Sequence, residues 1–350
     1  MEKKCVFCGN KPNKKNKEHV LPQWLLKMTG DPNRVVKFGT NYSTGKEIEF
    51  NWGSLTVPSC TKCNEKYGVF ESSIKPLINK LITKADISGN EALKILDWLD
   101  KVRIGLWINY YYLESNKAQI TPRLCIDNRM GQKDRFMQIH FIESKGKSAK
   151  GLNAIGVETF PFQFNPSCFG LRINNILIIS GSNDFIISEN CGFPYPNKIE
   201  PQKNGILSLL DWVYNRKSNT KIKGLSLHKG VLTVMQPIHT QIDYQANYFG
   251  DSYLIQNCID VEKRVGTLFR IENKLIQPIN DLEEKLKYES VMGQEMKTLG
   301  VLISKVYTGQ NTFLLRQASE KEDYVKAAVE FNKKRIEFYE KTLPNNVYKT

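Results

Sequence analysis

Cys5-Val6-Phe7-Cys8, Lys17-Glu18-His19-Val20-Leu21-Pro22 and Cys60-Thr61-Lys62-Cys63-Asn64 are the fragments that decide how this chain folds at its start. Two C-x2-C pairs, with fifty-one residues between Cys8 and Cys60, offer four thiolates. One tetrahedral ion takes four such ligands, and soft sulfur donors select zinc over hard cations. The spacing predicts a structural Zn²⁺ on Cys5, Cys8, Cys60 and Cys63. Between the pairs a carboxylate stands beside an imidazole, and an amide follows the last cysteine directly.

The order C-x2-C, Glu-His-x-x-Pro, C-x2-C-Asn resembles the HNH endonucleases of the ββα-metal type, over residues 1–85 and no further. The resemblance implies that His19 is the general base and that Glu18 and the side-chain oxygen of Asn64 bind a catalytic divalent ion, Mg²⁺ before others. Elementary chemistry agrees with those roles. Phosphodiester hydrolysis needs a deprotonated water and positive charge where the phosphorane and leaving oxygen become negative. An imidazole, with an ordinary pKa of ~6.5, suits the first task. A cation on oxygen ligands suits the second. Alternation along a strand lets neighbours 18 and 19 serve different tasks. Pro22 matches the family's His-x-x-Pro. The family's ring-orienting asparagine has two candidates here, Asn51 and Ser54, because a hairpin-like insertion, 34–39 and 47–52, intervenes. The competing reading is a purely structural zinc ribbon, hence a zinc-containing nucleic-acid-binding protein without hydrolysis.

The net charge of +14 favours a polyanionic partner, nucleic acid before membrane, with a solubilising bias as the bland alternative. Residues 1–85 hold fifteen Lys or Arg against seven Asp or Glu, a quarter of the chain with more than half of the excess. Lys11, Lys14, Lys15, Lys17, Lys62 and Lys66 are the expected phosphate contacts, most simply to DNA. The opening residues do not read as a secretory signal and no eighteen-residue apolar run exists, so a cytoplasmic protein is expected. There Cys125, Cys168, Cys191 and Cys258, which lack ligand spacing, read as small buried apolar residues. His140, His228 and His239 read as satisfied or solvated histidines.

Further along, periodicity predicts an α+β chain. A helix from Asn64 to about Thr83 is expected to be interrupted or kinked at Pro76. Ser88-Gly89-Asn90-Glu91 forms a capping box that opens a long helix, read as a linker over 86–118. Its aromatic end, Trp107 and Tyr110-Tyr111-Tyr112, reads as core first and as a base-stacking surface second. Region 119–279 is expected to be antiparallel β-rich, with strands at 135–143, 169–173, 176–180, 185–188, 230–236 and 265–271 and a helix at 205–216. Region 280–350 is expected to be helical at 281–297 and 319–341, the second helix opened by Ser319-Glu320-Lys321-Glu322. That last helix would either cover the sheet or pair into a homodimer. The size of the β-rich region suggests recognition or control by a ligand or partner protein, as in a bacterial antiviral-defence or mobile-element effector.

Overall fold

The computed structural model describes residues 4–12, 16–40, 46–113, 126–128, 134–142, 150–201, 207–213, 219–222, 225–237, 258–260, 265–289, 297–317, 322–342 and 346–347. The N-terminal strands are Asn16–His19 (β1), Val35–Thr40 (β2), Glu47–Asn51 (β3) and Thr56–Ser59 (β4). β2 and β3 form the expected hairpin, while β1 pairs antiparallel with β4, setting Glu18 opposite Val57 and His19 opposite Thr56. Between β1 and β2 a short helix, Gln23–Met28 (α1), follows Pro22, whose fixed φ suits a helix start.

The second knuckle opens Thr61–Ile82 (α2), with Cys60 at its N-cap. Tyr67, Ile74, Leu77, Ile78 and Leu81 form its buried stripe, and Pro76 lies within the helix without ending it. Ile87–Ser88 (β5) leads into Gly89–Leu113 (α3). The capping box closes as read: Ser88 N donates to Glu91 Oε2 at 2.9 Å and Glu91 N to Ser88 Oγ at 3.3 Å. α3 is buried on all sides, through Leu96, Trp98, Leu99, Val102, Ile104 and Leu106 among others, so it is a central beam. A Cβ on its Gly105 would stand 3.2 Å from Val20 Cγ1, which measures how closely it crosses the end of β1. Trp107 is core, its indole N–H donating to Gln163 O at 2.6 Å, and the side chains of Tyr110–Tyr112 lie outside the described residues.

Behind α3 stands a seven-stranded antiparallel sheet, in spatial order 275–278, 269–272, 232–236, 134–141, 176–183, 168–173 and 152–155. Arg135 ties it to the helix by bonding Asp97 at 2.6 Å and Asp100 at 3.0 Å. One buried cluster runs continuously from Cys5 to Phe313, so the N-terminal module and the sheet share a core through α3. His140 and His228 are hydrogen-bonded, at 2.9 Å to Gln138 and Thr220 respectively. Burial pushes the Cys168 and Cys191 thiols up to about 12. Cys125, His239 and the capping residues Ser319–Lys321 lie outside the described residues, as does the side chain of Cys258.

Three local expectations are corrected, and one helix is added. Residues 185–188, read as strand from their β-branched run, begin a helix, Ile186–Cys191, because the Asp134 carboxylate accepts Ser188 N and Oγ at 2.9 and 2.8 Å and so caps its first turn. Leu207–Val213, read as helix, is a strand paired with Tyr195–Pro201, since its leucines satisfy a period of two as well as 3.6 and Trp212 packs edge-on against Phe185. The charged run after Asp281 is not helical over its described part. It pairs Lys285 and Leu286 with β5, and its carbonyls at Leu282 and Glu284 accept the amides of Asn90 and Gly89 at the start of α3. The helix Leu299–Gln317 was unforeseen. It packs on the strand at 168–173, where Gln310 Nε2 donates to Cys168 O at 2.9 Å, and the helix Asp323–Thr342 covers it in turn. No described helix is long and apolar enough to cross a membrane.

Candidate functional site

The four sulfur atoms of Cys5, Cys8, Cys60 and Cys63 lie within 4.8 Å of one another, with Cys8 and Cys60 4.0 Å apart. Zinc–sulfur bonds of about 2.3 Å put tetrahedral sulfurs about 3.8 Å apart, so the quartet fits one ion with a slight contraction. Local backbone explains the convergence. Cys5 N donates to Asn10 O and Gly9 N to Cys5 O, with Gly9 at φ 76°, which folds the first knuckle into a tight turn. Val6 N donates to Pro58 O, which docks that turn on β4 just ahead of the second pair.

The thiols differ in acidity. Burial pushes Cys5 upward, and burial together with the neighbouring cysteines pushes Cys63 well above an ordinary thiol. At Cys60 burial acts upward too, but hydrogen bonds from Cys63 outweigh it and the thiol is lowered. A dication bound by all four would displace the remaining thiol protons. Among the described residues it is also the only group of three or more His, Cys, Asp or Glu side chains placed to share an ion.

The knuckle is locked from outside the first eighty-five residues. Ile126 N and Asp127 N donate to Val6 O and Phe7 O at 2.7 and 3.1 Å. The Tyr67 hydroxyl donates to the Asp127 carboxylate, and the Tyr67 ring stacks on Phe7 at 4.0 Å. Lys66 also reaches Asp127, at 3.5 Å.

The sulfur quartet sits at the start of α2, and Asn64 projects from its first turn. Its Nδ2 donates to Lys17 O at 3.1 Å and Ser59 Oγ at 3.4 Å, which seats the amide against β1 and β4 and leaves Oδ1 without a partner among the described residues. Glu18 points to the helix side of β1 and His19 to the other, as strand alternation requires. The imidazole of His19, half-buried, has no hydrogen-bond partner among the described residues. Asn51 and Ser54 meet each other, Ser54 Oγ donating to Asn51 O at 2.7 Å, and no described contact joins either to His19.

Glu18 has a partner that sequence reasoning missed. Lys101, on α3 and 1% exposed, donates to Glu18 Oε1 at 3.2 Å and Glu71 Oε1 at 2.6 Å, and also to the carbonyls of His19 and Val20 at 3.1 and 3.2 Å. Burial raises Glu71 above the ordinary carboxylate value, against the pull of Lys101 and with added repulsion from Glu18. Glu18 Oε2 keeps no partner among the described residues. Asn109 was missed as well. Its Nδ2 donates to Thr56 O, in the residue facing His19, at 3.1 Å, while its buried Oδ1 is unsatisfied. The signal for Lys101 was legible in principle, because Asp100, Lys101 and Arg103 interrupt a stretch that is otherwise apolar on every face.

Of the basic residues, Lys11, Lys17, Lys62 and Lys66 are exposed, while Lys14 and Lys15 lie outside the described residues. Compared with family models, curated proteins and solved structures, the chain matches none.

Proposed function

We propose that this chain is a metal-dependent endonuclease of the HNH type that hydrolyses phosphodiester bonds of DNA. The observation that carries the reading is the sulfur quartet, because it anchors the helix start that sets Asn64 against the strand bearing Glu18 and His19. Around that anchor Glu18 Oε2, Asn64 Oδ1 and the His19 ring are all left unengaged by other described side chains. An acidic oxygen and an amide oxygen suit a hard divalent ion such as Mg²⁺, which would supply positive charge for the developing phosphorane. His19 takes the proton of the attacking water, and Glu18 and Asn64 would hold the ion. Lys11, Lys17, Lys62 and Lys66 provide phosphate contacts around the module, so affinity falls as salt rises. The sheet and C-terminal helices, which hydrolysis does not need, serve recognition or control, as fits a regulated effector in antiviral defence or in a mobile element.

A second reading is favoured by one observation: Lys101 already neutralises Glu18. On that reading the module binds nucleic acid without cutting it. Supercoiled plasmid with Mg²⁺ separates the two. Hydrolysis predicts nicking that Asn64→Ala removes at unchanged zinc content. Binding alone predicts no nicking under any divalent ion and retention on DNA that Glu18→Gln leaves intact.

A further inference from the structure

Four oxygens from two parts of the chain, residues 18–20 and Glu71, surround one buried ammonium, and no step of hydrolysis calls for it. We propose that Lys101 is a positioning residue for the divalent-ion site, supplied to the zinc module by α3, and that Glu71 is the carboxylate that holds Lys101 in place. This deepens the hydrolytic reading and rests on it.

Among the described residues Lys101 takes hold of Glu18 by Oε1 only, which restrains the carboxylate and leaves Oε2 as the ligand atom with no described partner. The same ammonium binds the carbonyls of His19 and Val20 at 3.1 and 3.2 Å, so the backbone carrying the proposed base and the side chain carrying the proposed ligand share one tether. A lysine has three protons and no acceptor, so it can orient oxygens without competing for a proton. Glu71 makes the shortest of the four contacts, 2.6 Å, from a position seven residues, about two helical turns, beyond Asn64 on α2. It thereby anchors Lys101 to the helix that zinc has already fixed. The tether reaches across from α3, whose close crossing at Gly105 leaves it little freedom to shift. Partners of this kind around a ligating carboxylate set metal affinity, and their loss costs about 10- to 100-fold.

The test uses the full chain and Mn²⁺ as probe, read by its electron paramagnetic resonance signal, so that it does not depend on cleavage. The double variant Lys101→Met with Glu71→Leu removes one charge of each sign and leaves the net charge of the buried cluster unchanged. Expected is Mn²⁺ affinity about 10-fold or more below wild type at equal zinc content, with affinity lost further in wild type carrying Asn64→Ala. Equal Mn²⁺ affinity in the double variant and wild type overturns the assignment, as does a wild-type affinity that Asn64→Ala leaves unchanged. Should the double variant fail to load zinc, Lys101→Arg, which keeps the charge and changes the geometry, reads the same quantity, and there wild-type affinity overturns the proposal. A wild type that binds Mn²⁺ through Asn64 and Glu18 yet never nicks DNA sinks the nuclease reading alone.

Discussion

Replacing Lys101 by methionine removes the ammonium from between Glu18 and Glu71 and leaves two carboxylates in a nearly dry site. The side chains of Lys101, Glu18 and Glu71 are 1%, 8% and 7% exposed, so solvent screening gives little relief. Breaking a buried pair by deleting one partner costs about 3–5 kcal/mol. The unpaired carbonyls of His19 and Val20 add roughly 1 kcal/mol. Against a total stability of about 5–15 kcal/mol this is a large share. Urea unfolding with zinc in excess measures it, provided the slope with denaturant is unchanged. The sign of a second substitution sharpens the test: Glu71→Leu alters the wild type little, because Glu18 keeps its cation, but restores about 2 kcal/mol in the Lys101→Met background. A loss below about 1 kcal/mol for Lys101→Met, or additive effects of the two substitutions, refutes the coupling.

Other expectations follow from the same contacts. Chelating zinc should abolish amide-exchange protection at Cys5, Gly9 and Asn64, whose donors depend on the knuckles, while the strand at 134–141 stays protected; uniform loss or uniform retention counts against the sulfur anchor. Alkylating reagents should modify Cys8 and Cys60 only after chelation, and Cys168 and Cys191, pushed up to about 12 by burial, only on unfolding, which mass spectrometry of digests resolves. Tyr67→Phe should cost about 1.5–3 kcal/mol, because its hydroxyl donates to the Asp127 carboxylate that seats residues 126–128 on the knuckle. Residues 1–85 alone should show no cooperative melt even with zinc, since Lys101 and the two donors at Ile126 and Asp127 are missing. Glu71, raised by burial, keeps its proton in the folded state at pH values where the unfolded chain has lost it. Its contribution to stability is therefore present at low pH and lost as pH rises through its folded value, and Glu71→Gln should flatten that part of the profile.

The clustering of the four cysteines, the β2–β3 hairpin and the capping box at Ser88 were legible because each rests on short local patterns in the sequence. So were the strands around Asn174, which takes the positive φ of 52° that a tight turn favours. Elements decided by partners far along the chain were not. Ile186–Cys191 is a helix because Asp134, fifty-four residues upstream of Ser188, caps it. Leu299–Gln317 carries Gly300, Gly309 and several β-branched residues that lower helix propensity, and only packing on the strand at 168–173 selects its form. The proposed site divides the same way. His19, Glu18 and Asn64 stand in short motifs, whereas Lys101 reaches Glu18, and Asn109 the Thr56 opposite His19, from a helix that reads in sequence as a connector. The charges at Asp100, Lys101 and Arg103 were the one sign that this helix is buried with its polar groups paired.

The most direct measurement is the rate at which wild type and His19→Ala nick supercoiled plasmid in Mg²⁺, with zinc quantified on both. If the sulfur-anchored helix and the Glu18-His19 strand form a hydrolytic centre, wild type nicks the plasmid and His19→Ala, carrying the same zinc, does not. Equal nicking by the two at equal zinc content contradicts it.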